Sequence, residues 1–197
     1  LRKILVASSN EGKIKELNKL FGDLEVEFVS LKEVEGLSDL EEPEESALTY
    51  KENALIKARY YASHCDLPTL ADDSGIECLD LSKWPGVHSA RIGSSNEQRR
   101  EVLITRLKGE NVAQPWKARF VCVLCFLHEG QEHFFEGHCE GEVQEEAVGN
   151  KGFGYDPIFL MPDGRTLGEY SAEEKNAISH RGKAVRSFRD FLGELSL

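Results

Sequence analysis

Apolar residues along this chain come in short bursts separated by polar and glycine-rich breaks, and the spacing within each burst predicts an element. Lys3–Ser8 is a short apolar run that reads as a buried strand. A loop, Ser9-Asn10-Glu11-Gly12, follows it. Lys13–Phe21 then places Ile14, Leu17, Leu20 and Phe21 at helical spacing. Val26–Ser30 reads as a second strand. Thr49 to about His64 reads as a helix with Ala54, Leu55, Ala58, Tyr61 and Ala62 on one side, and Thr49 with Glu52 offers a capping box at its start. Beyond Pro68, Thr69–Asp72 reads as a strand ending in acid, Ile76–Leu81 as extended chain, and Asn96–Leu107 as a helix.

The second half opens on two long segments, Ala118–His128 with its apolar run Phe120–Leu127 and Gln131–Val143, predicted to form a hairpin turning at Glu129-Gly130. Each arm is long for a globular strand, which suggests a ribbon reaching into a second lobe. A glycine-rich loop from Gly149 to Gly154, an extended stretch over Asp156–Leu160 and a helical tail from about Ser171 complete the chain. Strands alternate with helices early and the hairpin dominates the middle, so the expected class is mixed α/β.

Length, charge and cysteine content narrow the function. A chain of 197 residues buries roughly 70% of its unfolded surface, so a core needs neither disulfides nor metal. No apolar run approaches the roughly 20 residues that span a bilayer. The amino end enters a strand at once, leaving no room for a signal peptide. With five cysteines, an odd number, this sets the expectation of free thiols in a reducing, cytoplasmic compartment. Cys122 and Cys125 have the spacing of a redox or zinc pair. On a strand, however, positions i and i+3 face opposite sides, so two buried thiols are expected there.

There are 24 basic and 35 acidic residues, a formal charge of −11. Asp23 to Glu52 alone carries 11 acidic and 2 basic residues. A partner that is a nucleic acid polymer or a membrane surface is therefore not expected. An anionic substrate has to be held by local cations and a metal, because the overall field repels it.

Five segments carry candidate chemistry. Ser8, Ser9, Asn10, Glu11, Gly12 and Lys13 join a strand to a helix, where backbone N–H groups cradle phosphate and Lys13 adds a charge. Ala71-Asp72-Asp73-Ser74-Gly75 sets two carboxylates where a strand is expected to end, suited to Mg2+ or to deprotonating a water, and equally to an acidic turn. The acidic run around Pro43 ends at Glu45, just ahead of a capped helix. Gly152-Phe153-Gly154-Tyr155-Asp156-Pro157 lets backbone approach a flat ligand while a ring stacks on it, unless its rings plug a core. Lys175, Asn176, His180, Arg181 and Lys183 gather donors suited to carbonyl or phosphate oxygen.

With those segments in order, the chain resembles the inosine/xanthosine triphosphate pyrophosphatase family. The matching residues are Ser8-Ser9-Asn10-x-x-Lys13-x-x-Glu16, Glu45 to Ala58 with Thr49, Glu52, Asn53 and Lys57, Ala71 to Gly75, Pro85-Gly86-Val87-x-Ser89-Ala90-Arg91, Gly152 to Pro157, and Ser179-His180-Arg181-Gly182. They run through essentially the whole chain. One departure is Ser9, where bacterial members often carry glycine.

The resemblance implies one domain over residues 1–197, built as two lobes. A central mixed sheet is flanked by helices, a long β-hairpin extends from it, and the nucleotide site lies in the cleft between the lobes. It further implies an elongated homodimer and Mg2+-dependent hydrolysis of non-standard purine triphosphates (ITP, dITP and XTP) to monophosphate and pyrophosphate. By motif position, Asp73 is the general base, and Glu45 and Asp73 are the metal carboxylates. Ser8 to Lys13 with Ser74 hold phosphates and sugar, and Lys57 is a further phosphate contact. Phe153, Gly154, Tyr155, Asp156, Lys175, His180 and Arg181 frame the base and the neighbouring phosphate. A nucleotide-binding sensor without catalysis is the competing expectation. A triphosphate-consuming transferase lacks any second-substrate motif.

Overall fold

A computed structural model describes residues 2–8, 14, 17, 18 and 20–195. Its sheet has six strands in the order β2-β1-β3-β4-β5-β6, where β1 is Arg2–Val6, β2 Val26–Val29, β3 Thr69–Cys78, β4 Trp116–His128, β5 Gln131–Val143 and β6 Phe159–Leu160. β1 is parallel to both β2 and β3, and β5 is antiparallel to β6, so the sheet is mixed and the fold is α/β. The helices are α1 (Tyr50–Ala62), α2 (Asn96–Gly109), α3 (Ala172–Ile178) and α4 (His180–Glu194), and Ile14, Leu17, Asn18 and Leu20 are also helical. Among the described residues no helix is long and apolar enough to cross a membrane.

The chain divides into two compact units. Unit 1 comprises 1–73, 123–136 and 184–197. Its aromatic core joins Phe21, Phe28, Phe126 and Phe188, with Phe21 and Phe28 edge to face at 4.9 Å and Phe126 against Phe188 at 5.0 Å. The Asn18 side chain brackets the backbone of Phe28, donating to its carbonyl at 2.9 Å and accepting from its N–H at 2.8 Å. This caps part of an edge strand that would otherwise offer bare polar groups. On α1, Ala54 and Ala58 pack with Ala71 and Cys125. Small side chains there let the helix backbone approach β3 closely.

Unit 2 comprises 74–122 and 137–183. Its core gathers Ile76, Leu103, Leu107, Trp116, Tyr155, Ile158 and Phe159. The hairpin forms as expected, with strands of 13 residues each. Glu129 and Gly130 both adopt positive φ, 50° and 75°, the conformation a two-residue turn needs to follow the strand twist.

Three local expectations are corrected. The acidic motif does not end a strand, since β3 runs unbroken from Thr69 to Cys78 and only Leu79–Leu81 turns, as a 3-10 helix. β3 lies between β1 and β4 in the sheet, and β1 pairs with it only at Thr69 and Leu70, so beyond Leu70 its neighbour β4 is the sheet partner set against the turn preference of Asp, Ser and Gly. The carboxyl tail is two helices, because Ser179 takes an extended conformation (φ −69°, ψ 160°) and its hydroxyl accepts from the Gly182 N–H at 3.1 Å. The box at Thr49 is half formed. Its hydroxyl oxygen accepts from the Glu52 N–H, but the Glu52 carboxylate bonds the Thr49 hydroxyl and not its backbone.

All five cysteines are free thiols and only Cys65 is half-buried. Burial pushes the Cys78 and Cys125 thiols up to about 12, so neither is a thiolate at neutral pH. A thiol reagent at pH 8 is therefore expected to modify Cys65 in the native protein and all five cysteines in denaturant, read by mass spectrometry. Rapid native labelling of Cys122 or Cys125 would contradict this packing.

Candidate functional site

Two groups of polar side chains stand out, one in each unit. In unit 1 the framework is α1, whose Asn53 and Lys57 are one turn apart and so project on the same side. Asn53 is fully buried (0% exposed) and donates from Nδ2 to Asp73 Oδ2 at 3.1 Å. Asp73 itself is 8% exposed. Lys57 is ion-paired with Glu45, the two side chains being 19% and 23% exposed. Burial acts to lower the Lys57 pKa, but the carboxylates of Asp72, Glu45 and Asp73 prevail and raise it above its ordinary value. Lys57 is therefore an ammonium at every physiological pH, as expected of a cation facing three anions.

These carboxylates form an oxygen-only donor set, which suits a hard cation such as Mg2+ and not a softer metal. Among the described residues no three His, Cys, Asp or Glu side chains converge as a metal cage. Mg2+ does not require one, because it takes one or two carboxylates and completes its shell with water and substrate phosphate. In this structure the Lys57 ammonium is the positive charge that Glu45 holds. Ser8 stands at the end of β1, its carbonyl accepting from the Leu31 N–H at 3.4 Å. Ser9, Asn10, Glu11, Gly12 and Lys13 lie outside the described residues.

In unit 2 the glycine-rich loop presents Phe153. Gly152 and Gly154 have φ of +74° and +61°. A Cβ on Gly152 would meet Asp156 Oδ2 at 2.2 Å, so only glycine permits this approach. That carboxylate oxygen accepts from the Phe153 N–H at 2.8 Å and from Lys175 Nζ at 2.5 Å. Arg100 Nη1 donates to the Gly154 carbonyl at 2.7 Å. Tyr155 is buried, with its hydroxyl donating to the Ser89 carbonyl at 2.7 Å, and burial raises its pKa well above the ordinary tyrosine value.

The loop is thus pinned at Gly154, Tyr155 and Asp156, while Phe153 is 62% exposed. Lys175 Nζ and the Arg181 guanidinium lie 4.9 and 5.8 Å from its ring centroid. His180 is buried and stacked on Phe120 at 4.7 Å, and Arg181 Nη2 donates to Ser74 Oγ at 3.2 Å.

Within unit 1 the structure brings Glu45, Lys57 and Asp73 together. Within unit 2 it brings Ser74, Phe153, Asp156, Lys175 and Arg181 together. Asp156 serves the loop's own backbone, and Tyr155 belongs to the core. Asn53 and Arg100 were given no role from sequence. An asparagine beside the alanines of a helical core face is the signal that could have found the first, whereas nothing in the sequence points to Arg100.

The sequence matches the model of the Ham1 family over residues 4–191. A protein of Symbiobacterium thermophilum called dITP/XTP pyrophosphatase is 42% identical over 186 residues, covering 93% of this chain and 91% of its own. The solved structure of a HAM1 protein from Coxiella burnetii superposes with a TM-score of 0.91 at 36% identity, covering 98% of this chain and all of that one. A nucleoside-triphosphatase / dITP/XTP pyrophosphatase from Mycobacterium abscessus gives 0.78 at 38% identity, covering 94% and 98% of the two chains. A match across nearly the whole length, in sequence and in fold, places this chain in the Ham1 family.

Proposed function

We propose that this chain hydrolyses non-standard purine nucleoside triphosphates, ITP, dITP and XTP, to the monophosphate and pyrophosphate, a reading supported by relatives called dITP/XTP pyrophosphatase. We propose further that the phosphates are held in unit 1 by Glu45, Lys57 and Asp73, and that in unit 2 Phe153 and Arg181 offer contacts for a purine base. The observation that carries this reading is the nearly buried Asp73 carboxylate, whose Oδ2 accepts from Asn53 Nδ2 at 3.1 Å and whose charge acts on Lys57, the partner of Glu45.

In the reaction a water attacks the α-phosphorus, the bond from that phosphorus to the α-β bridging oxygen breaks, and pyrophosphate leaves with the electron pair. The proton from the water passes to the Asp73 carboxylate, whose Oδ2 is oriented by Asn53. Glu45 and Asp73 are the residues that would hold Mg2+, which when bound offsets the charge of the phosphates. Lys57 keeps its proton and faces the departing anion.

In unit 2, Phe153 offers a face for a purine while Lys175 and Arg181 give that face a cationic border. The Arg181 guanidinium can only donate. A carbonyl at purine position six satisfies such a donor and an adenine amino group does not. The mismatch costs about 1–3 kcal/mol, roughly tenfold to a hundredfold in discrimination.

Incubation with ITP and Mg2+ is expected to yield IMP and pyrophosphate, resolved by ion-exchange chromatography. IDP with phosphate would refute the cleavage site, and tight ITP binding with no turnover would favour a sensor. Asp73→Asn is expected to lower kcat by about 10²–10⁴-fold, with nucleotide affinity retained in calorimetry. Phe153→Ala is expected to raise KM roughly tenfold with kcat little changed, since stacking contributes about 1–3 kcal/mol per base.

Lys57→Met leaves three carboxylates without their ammonium and is expected to cost about 2–4 kcal/mol of stability. Mg2+ should then raise the melting temperature of the variant more than that of the wild type, and equal shifts would show that the cation does not replace Lys57 there.

A further inference from the structure

We propose that Asn53 is a positioning residue for the hydrolysis inferred above, one carboxamide that fixes both the segment carrying Glu45 and the side chain of Asp73. Its Oδ1 accepts from the Ala47 N–H at 2.9 Å, and its Nδ2 donates to Asp73 Oδ2 at 3.1 Å, with the Ala47 carbonyl at 3.5 Å. The orientation of the amide follows from its partners. A backbone N–H only donates, so the oxygen end must face Ala47, and a carboxylate only accepts, so the nitrogen end must face Asp73.

Ala47 lies two residues after Glu45, in a segment outside regular secondary structure. No strand or helix holds that segment, and an anchor from α1 supplies what regular structure does not. Asn53 is fully buried, and its neighbours Ala54 and Ala58 seat α1 against Ala71 on β3. The amide therefore cannot swing away without losing bonds that no water replaces. It couples a loop carboxylate to a strand carboxylate, and the spacing of the two sets what they can hold together. An aliphatic side chain of the same size would fill the volume and leave both unregistered.

The test uses the full chain with Asn53→Leu, which keeps the number and branching of the heavy atoms and removes both ends of the amide. A misplaced reacting group costs on the order of 100-fold in rate, so kcat on ITP is expected to fall by about that factor. KM, and the affinity for an α,β-imido ITP analogue measured by calorimetry without metal, should stay within about threefold. A core control, Phe188→Leu, separates instability from misplacement. It lies in the aromatic cluster of unit 1 and is expected to lower the melting temperature while keeping kcat.

Should Asn53→Leu not fold, Asn53→Asp is measured in the same way. It retains an acceptor for Ala47 and replaces the donor facing Asp73. A folded Asn53 variant with kcat within threefold of wild type overturns the proposal. So does an equal loss of kcat in Phe188→Leu. Because this inference rests on the proposed hydrolysis, wild-type protein is run alongside. An inactive wild type removes the hydrolysis itself, whereas an active wild type with an unaffected Asn53 variant removes only the role of Asn53.

Discussion

One lysine stands against three carboxylates in a chain that is already strongly acidic. Glu45, Asp72 and Asp73 all act on Lys57, and together they outweigh the burial that acts to lower its pKa. Such a cluster is costly without positive charge, since like charges at short range repel strongly where solvent is scarce. The same property makes it useful. A site that needs cations to exist is a site that recruits them, and a triphosphate brings a matching need. Net charge repels the substrate at long range, so the attraction has to be local.

The glycine-rich loop of unit 2 solves a different problem, how to keep a large hydrophobic ring exposed. Phe153 sits in a loop whose neighbours are all committed elsewhere. Asp156 binds back to the loop and to Lys175, Tyr155 reaches into the core, and Arg100 holds a carbonyl. The two positive-φ glycines make the curvature possible. With the backbone fixed, little ordering remains to be done when a flat ligand arrives, which is how preorganisation favours binding. Lys175 takes part in both roles, bracing Asp156 and lying beside the ring.

Much of this was legible in the sequence where local chemistry and tertiary context agree. The hairpin was, because Glu129-Gly130 is good turn chemistry between two strand-like segments. So was α1, whose alanines and Tyr61 repeat at helical spacing, and so was the divergence of Cys122 and Cys125, which follows from strand geometry alone. The failures arise where a long-range partner decides. Asp-Asp-Ser-Gly looks like a turn until its place within a sheet strand keeps it extended. The break in the helical tail at Ser179 depends on a single capping hydroxyl. The residues proposed to face the ligand carry recognisable motifs, but Asn53 and Arg100 act by holding other groups, and nothing in sequence spacing reveals which carbonyl or carboxylate a buried donor will meet.

Hydrolysis of ITP in water enriched in 18O tests the central claim most directly, that water activated at Asp73 attacks the α-phosphorus. Mass spectrometry of the products is expected to find the heavy oxygen in IMP and none in pyrophosphate, from the first turnover onward. Label in pyrophosphate would place the attack on the β-phosphorus. A first turnover that leaves IMP unlabelled and marks the Asp73 carboxylate would make Asp73 a nucleophile, and either result would contradict the account.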